Sequence, residues 1–196
     1  MYNMYRVVLF MSMAYLATSC GGGGVTGPKY DLKGYQTDNL GGGAQAASFY
    51  DQTGKVLSTG HTIDGVRTGM WTTFHPEDNL IKTMTNYVNG KKNGMEVTLD
   101  QRGYVTNITG YRDDTLHGLS GVYKNGRTIS ETTYAQGVMH GPFTIYDDRN
   151  GKIQRSGFMS NGKQHGELLY FNPDGSVSMR YEYNNGEKIS GGIITE

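Results

Sequence analysis

Three histidines stand where they could form a line of metal ligands. His117, His140 and His165 each directly precede a glycine and recur at steps of 23 and 25 residues. Zinc holds imidazole nitrogens at about 2.0–2.1 Å, so a shared ion needs its ligands in one coordination sphere. In a repeat of two strands, equivalent positions lie two strand spacings apart, about 9–10 Å. No cysteine or carboxylate recurs beside the three histidines to complete a site, so they read as repeat-consensus residues that hydrogen-bond near a turn. His61 and His75 are solitary. The chain carries no Gly-x-Ser-x-Gly elbow, no Gly-x-x-x-x-Gly-Lys-Ser/Thr phosphate cradle and no second cysteine for a thiol pair. Asp147-Asp148-Arg149-Asn150-Gly151 lacks the spaced carboxylates and closing glutamate of a calcium loop and reads as a turn. No catalytic residue, metal site or cofactor is expected.

The glycines after those histidines belong to a longer ladder: Gly69, Gly94, Gly118, Gly141, Gly166 and, in the same frame, Ser190, at steps of 25, 24, 23, 25 and 24 residues. Four residues before each lie Gly65, Gly90, Asp114, Gly137, Gly162 and Gly186, and fifteen before lie Gly54, Asn79, Gly103, Gly126, Gly151 and Gly175. Columns that keep one register over six periods mark an array of units, each stacking on its neighbours.

Between the columns the residues alternate, as in Phe143-Thr144-Ile145-Tyr146 and Arg180-Tyr181-Glu182-Tyr183. Period-two patterning rich in aromatic and β-branched residues is strand chemistry, and no window shows helical spacing over three turns. Asp64-Gly65, Asn89-Gly90, Asn125-Gly126, Asn150-Gly151, Asn161-Gly162, Asp174-Gly175 and Asn185-Gly186 suit type I′ hairpin turns, which require positive φ at both central residues. Two turns per period predict about 12 short antiparallel strands in a ribbon roughly 50–60 Å long. The fold class is therefore all-β: an elongated, twisted single sheet of stacked hairpins. Two aromatic columns, Tyr87, Tyr111, Tyr134, Tyr183 and Phe74, Leu99, Tyr123, Tyr146, Phe171, are assigned to packing because they recur at the repeat period. The ladder glycines are expected where backbone closely approaches its neighbours.

The N-terminus reads as an address. Val7 to Ala17 is an apolar run within the roughly 7–15 residues of a secretory signal and short of the roughly 20 that span a bilayer. It leads into Ala17-Thr18-Ser19-Cys20 and then Gly21-Gly22-Gly23-Gly24. This stretch resembles the signal peptide of a bacterial lipoprotein, with Leu16 to Cys20 as a loose lipobox. The resemblance implies cleavage before Cys20, diacylation of its thiol and attachment to a membrane. Residues 1–19 are thus the expected signal peptide, 20–47 the lipidated cysteine and a flexible glycine-rich tether, and 48–196 the repeat domain of about six units. With no acidic cluster after Cys20, the expected location is the outer membrane of the bacterial envelope, facing the periplasm.

With 18 basic and 18 acidic residues the chain has no broad field to attract nucleic acid, and Lys91-Lys92 is one small basic hairpin tip. Glycine and tyrosine are abundant, at 30 and 15, while 36% of residues are hydrophobic, which suits a sheet with glycine turns better than a thick globular core.

Asn89-Gly90-Lys91-Lys92-Asn93-Gly94 and Asn161-Gly162-Lys163-Gln164-His165-Gly166, with Leu99 and Phe171 five residues after their last glycines, resemble the MORN repeat, most closely the bacterial variants labelled YwqK-type antitoxins. The resemblance covers about Phe49 to Gly192. It implies stacked antiparallel hairpins that serve as a contact surface for proteins or lipids. The expected activity is non-enzymatic: a lipid-anchored scaffold or immunity-like binder for a protein partner. The alternative is a carbohydrate-binding accessory protein with Trp71, Tyr104 or Tyr170 exposed for stacking on sugars.

Overall fold

The computed structural model describes residues 25–194, and among them every regular element is a β-strand. The first seven are β1 (Gln36–Gly41), β2 (Ala44–Tyr50), β3 (Val56–Ile63), β4 (Val66–Phe74), β5 (Ile81–Val88), β6 (Lys91–Leu99) and β7 (Val105–Arg112). The rest are β8 (Thr115–Lys124), β9 (Arg127–Ala135), β10 (Val138–Tyr146), β11 (Ile153–Ser160), β12 (Lys163–Phe171), β13 (Val177–Asn184) and β14 (Glu187–Ile193). Each strand pairs with its sequence neighbours, so the whole is one open, twisted antiparallel sheet in the order β1 to β14. At about 4.8 Å per strand it runs about 60 Å. The expected signal peptide, Cys20 and Gly21 to Gly24 lie outside the described residues.

The hairpins of the column Gly65, Gly90, Asp114, Gly137, Gly162 and Gly186 have positive φ at both central residues, as at Asn89 (51°) and Gly90 (79°), the type I′ signature. The other column is different. Of its turns, Asn125-Gly126 has this geometry, whereas at Asn150-Gly151 and Asp174-Gly175 only the glycine is left-handed. There an aspartate closes the loop: Asp147 Oδ1 accepts the Arg149 and Asn150 amides at 2.9 and 3.1 Å, and Asp174 Oδ1 accepts the Ser176 amide at 2.8 Å.

The ladder glycines correct one expectation. At Gly69, Gly118 and Gly166 a Cβ would meet nothing within 4 Å, so close approach does not select those three, whereas at Gly141 it would come within 2.9 Å of Thr133, as expected. All five are left-handed, from 64° at Gly69 to 121° at Gly141, and all lie at register shifts between an even strand and the odd strand before it. They are β-bulges that re-aim the strand. Two residues ahead of each bulge, the carbonyls of Arg67, Lys92, Leu116, Met139 and Gln164 accept the amides of Gly90, Asp114, Gly137, Gly162 and Gly186 at 2.8–3.0 Å. One hairpin tip is thereby bonded to the next along the array.

The tether is also corrected. Residues expected to be a flexible leash form β1 and β2, so the boundary at residue 47 cuts a strand, and the strands number fourteen rather than about twelve. Tyr30, Leu32 and Tyr35 pack on the buried cluster Ala47, Trp71 and Tyr87, which supplies the apolar contact that the segment's own composition lacks. The Tyr30 amide donates to the Gly65 carbonyl at 2.8 Å, and Lys29 bridges to Val66.

Candidate binding surfaces

Cross-strand pairing decides which residues share a face. On one face, here the Trp71 face, Ala47, Gly60, Trp71, Thr85, Glu96, Thr109, Ser120, Thr132, Phe143, Gly157, Leu168 and Tyr181 lie in one row. The Tyr87, Tyr111, Tyr134 column shares this face. The second aromatic column lies on the other, because Phe74, Leu99 and Tyr146 are an odd number of residues from their ladder glycines. The two columns therefore do not build one core, and each face carries its own aromatic line.

Trp71, which the carbohydrate-binding alternative needs on the surface, is 4% exposed. Its ring meets Tyr30 edge-on at 4.9 Å, and its Nε1 donates to the His61 carbonyl at 3.0 Å. Arg67 closes the cap, its guanidinium 4.5 Å from the Tyr30 ring centre and 3.9 Å from that of Tyr87. Burial, then the hydrogen bond to Tyr35 at 3.0 Å, pushes the Tyr30 hydroxyl up to about 12. Tyr104 is exposed near the β6–β7 turn, under the guanidinium of Arg102. Tyr170 is half-buried in β12, edge-on to Tyr181. The three aromatic candidates stand on three separate parts of the sheet and form no common site.

Two of the repeat histidines make the turn contacts expected of them: His140 Nδ1 accepts the Asn161 amide at 3.3 Å, and His165 Nδ1 accepts the Asn185 amide at 3.4 Å. No group of three metal-ligating side chains occurs among the described residues.

Mid-array, the Trp71 face turns polar. Glu96 accepts the Thr85 hydroxyl at 2.8 Å and the Lys92 ammonium at 2.6 Å. Burial opposes the charge of Lys92, but the hydrogen bond and charge of Glu96, with Tyr111 and Tyr87 beside it, hold its pKa above the ordinary lysine value.

The opposite face, here the Met95 face, is apolar over the same strands. Met84, Val97 and Ile108 are consecutive cross-strand partners. Beside them, one residue after each ladder glycine, stand Met70, Met95 and Leu119, 50%, 56% and 54% exposed. Glu167, in an ion pair with Arg180 at 3.4 Å, occupies the equivalent place further on and ends the apolar row.

Another periodic device went unread in the sequence. Lys55 Nζ donates to the carbonyls of Pro76 and Glu77 at 3.2 and 2.9 Å, Arg102 to Asn125 Oδ1 at 2.7 Å, Arg127 to the Arg149 carbonyl, and Lys152 to the Pro173 carbonyl. A basic side chain beside Gly54, Gly103, Gly126 and Gly151 thus staples each of these turns to the next, and Gly175, flanked by Asp174 and Ser176, has no such neighbour. The signal was present as the cation adjoining Gly54, Gly103, Gly126 and Gly151.

No family model matches the chain, and no curated protein matches it. Among solved structures it is similar to the crystal structure of TarM at 14% identity and a TM-score of 0.28, over 68% of this chain and 21% of that one. A second is an S. aureus TarM mutant in complex with Fondaparinux, alpha-GlcNAc-glycerol and UDP, at 12% identity and a TM-score of 0.30, with the same coverage. The chain spans about a fifth of those proteins' length, and likeness this low bears on neither fold nor function.

Proposed function

We propose that this chain is a non-catalytic, lipid-anchored scaffold of the bacterial envelope, a MORN-type array of the YwqK-like group, that binds a protein through its Met95 face. The observation that carries the reading is the row Met70, Met95 and Leu119, half exposed and bordered by Met84, Val97 and Ile108. Exposed apolar side chains gathered in one patch, with no second layer over them among the described residues, are the ordinary mark of a protein-contact surface. An inhibitory, immunity-like contact is one form such binding takes. The N-terminal sequence supports anchorage through Cys20 on the periplasmic side of the outer membrane.

The packed N-terminal segment sharpens this reading. Gly27 lies against the Asn89 carbonyl, where a Cβ would come within 2.2 Å. Six residues separate it from Cys20. At about 3.3–3.6 Å per residue they reach at most about 25 Å, so the first repeats are held close to the membrane.

Crosslinking and pull-down from membranes tests the proposal. The wild-type chain should capture a defined protein, and the combined variant Met70→Ser, Met95→Ser and Leu119→Ser should lose it while melting at nearly the same temperature. Capture unchanged by the three substitutions would refute it.

A further inference from the structure

Glu96, Thr109, Ser120 and Thr132 are consecutive cross-strand partners from β6 to β9, about 4.8 Å apart along the array. This row continues through Thr85 to Trp71 at one end and directly to Phe143 at the other, both buried. Where the two ends of the row are packed, its middle presents hydroxyls. Those of Thr109, Ser120 and Thr132 belong to half-buried residues, and none is sealed from solvent without a partner. Thr73 and Thr83, by contrast, satisfy each other at 2.6 Å, and Thr85 donates to Glu96. Thr98, Asn107, Val122 and Ser130 form the row on one side, again by direct pairing. Tyr111 and Tyr134 line the other.

The result is a strip of mainly hydroxyl groups, Thr109, Ser120 and Thr132 in its central row, with Val122 the apolar member of the row beside it, tyrosines on the other side and packed aromatics beyond its ends. Its one carboxylate, Glu96, is already paired with Lys92 at 2.6 Å, so the strip presents no net charge to a ligand. Hydroxyls both donate and accept, and of the two wall tyrosines Tyr111 lies under the Lys92 ammonium at 4.7 Å, while Tyr134 offers an apolar surface to a ring that is polar at its rim. We propose that this strip, on the face opposite the protein-contact patch, binds a neutral, linear oligosaccharide laid along the array axis. Successive hydroxyl-bearing rings would follow successive strands. A charged polysaccharide would meet no compensating ion there. The site is distinct from Trp71, Tyr104 and Tyr170, of which the first is buried and the other two stand apart from the strip.

The test uses the full chain in detergent micelles, titrated calorimetrically with cellohexaose, chitohexaose and maltohexaose in turn. At least one should bind saturably, and the combined near-isosteric variant Thr109→Val, Ser120→Ala and Thr132→Val should weaken it at least tenfold. Met95→Ser, on the opposite face, should leave the affinity within twofold, which separates this result from the fate of the protein-contact reading. Ser120→Ala alone, expected to weaken binding a few-fold, keeps the measurement readable if the triple variant fails to fold. No saturable binding of any of the three sugars, or equal affinity in wild type and folded variant, would overturn the proposal.

Discussion

The indole of Trp71 fills the place of a side chain at Gly60. A Cβ on Gly60 would sit 2.2 Å from the ring, and the two residues occupy neighbouring strands, β4 and β3. The same arrangement recurs at Phe143, whose ring lies 2.9 Å from where a Gly157 Cβ would be. A large aromatic laid over a glycine covers backbone that would otherwise face water, and each partner specifies the other.

Gly60→Ala is therefore expected to displace the indole and destabilise the array by about 1–3 kcal/mol, the range for overpacking a filled site. Because Trp71 is the only tryptophan, its fluorescence reports the change directly. A red-shifted emission together with a lower melting temperature is the expected result, and an unchanged spectrum would show that the contact does not hold the cap.

Gly141→Val should cost more than Ser190→Val. Gly141 has φ of 121° in the middle of the array, and a Cβ there would come within 2.9 Å of Thr133. Ser190 lies in the terminal strand, where the left-handed residue is Gly191 instead. Interior units also have two neighbours and the last has one. Thermal melts of both variants settle the comparison, and equal losses would count against stacking as the source of stability.

Thr62 carries the opposite sign. It is fully buried, and its hydroxyl has no partner among the described residues. An unsatisfied buried hydroxyl costs about 1–3 kcal/mol, so the nearly isosteric Thr62→Val should stabilise by about 1 kcal/mol. A fall in the urea midpoint would mean that the hydroxyl is satisfied after all.

Asp147 predicts a pH effect. The Arg149 amide, the Arg149 guanidinium and the Asn150 amide hold its carboxyl down to about 2, against an ordinary value of 3.8. A carboxylate depressed in the folded state contributes stability that is complete above its unfolded value and lost as pH falls through the folded one. The loss attributable to Asp147 should therefore fall between about pH 4 and pH 2. Urea unfolding across this interval should show a shallower decline in Asp147→Asn than in wild type. Parallel curves would contradict the assignment.

Cys20→Ala should release a folded protein from the membrane fraction, since acyl chains would provide the attachment and among the described residues no helix is long and apolar enough to cross a bilayer. Continued sedimentation with membranes would exclude the cysteine anchor.

What the sequence by itself determined is what depends on near neighbours. Asn89-Gly90 and Asn161-Gly162 announce their turns because positive φ is a property of the two residues themselves, and alternation between turns announces strands. The faces were decided only by tertiary structure. A bulge such as that at Gly94 sets three residues of β6 opposite one of β5, and parity beyond it depends on how the partner strand pairs. That is why Met95 and Glu96, adjacent in sequence, present an apolar patch on one side and a polar strip on the other. Tyr30, Leu32 and Tyr35 look like part of a leash because their own neighbours offer them nothing to bury against. Trp71 and Ala47, brought close by the pairing of β2, β3 and β4, supply that contact and fold the leash into a cap.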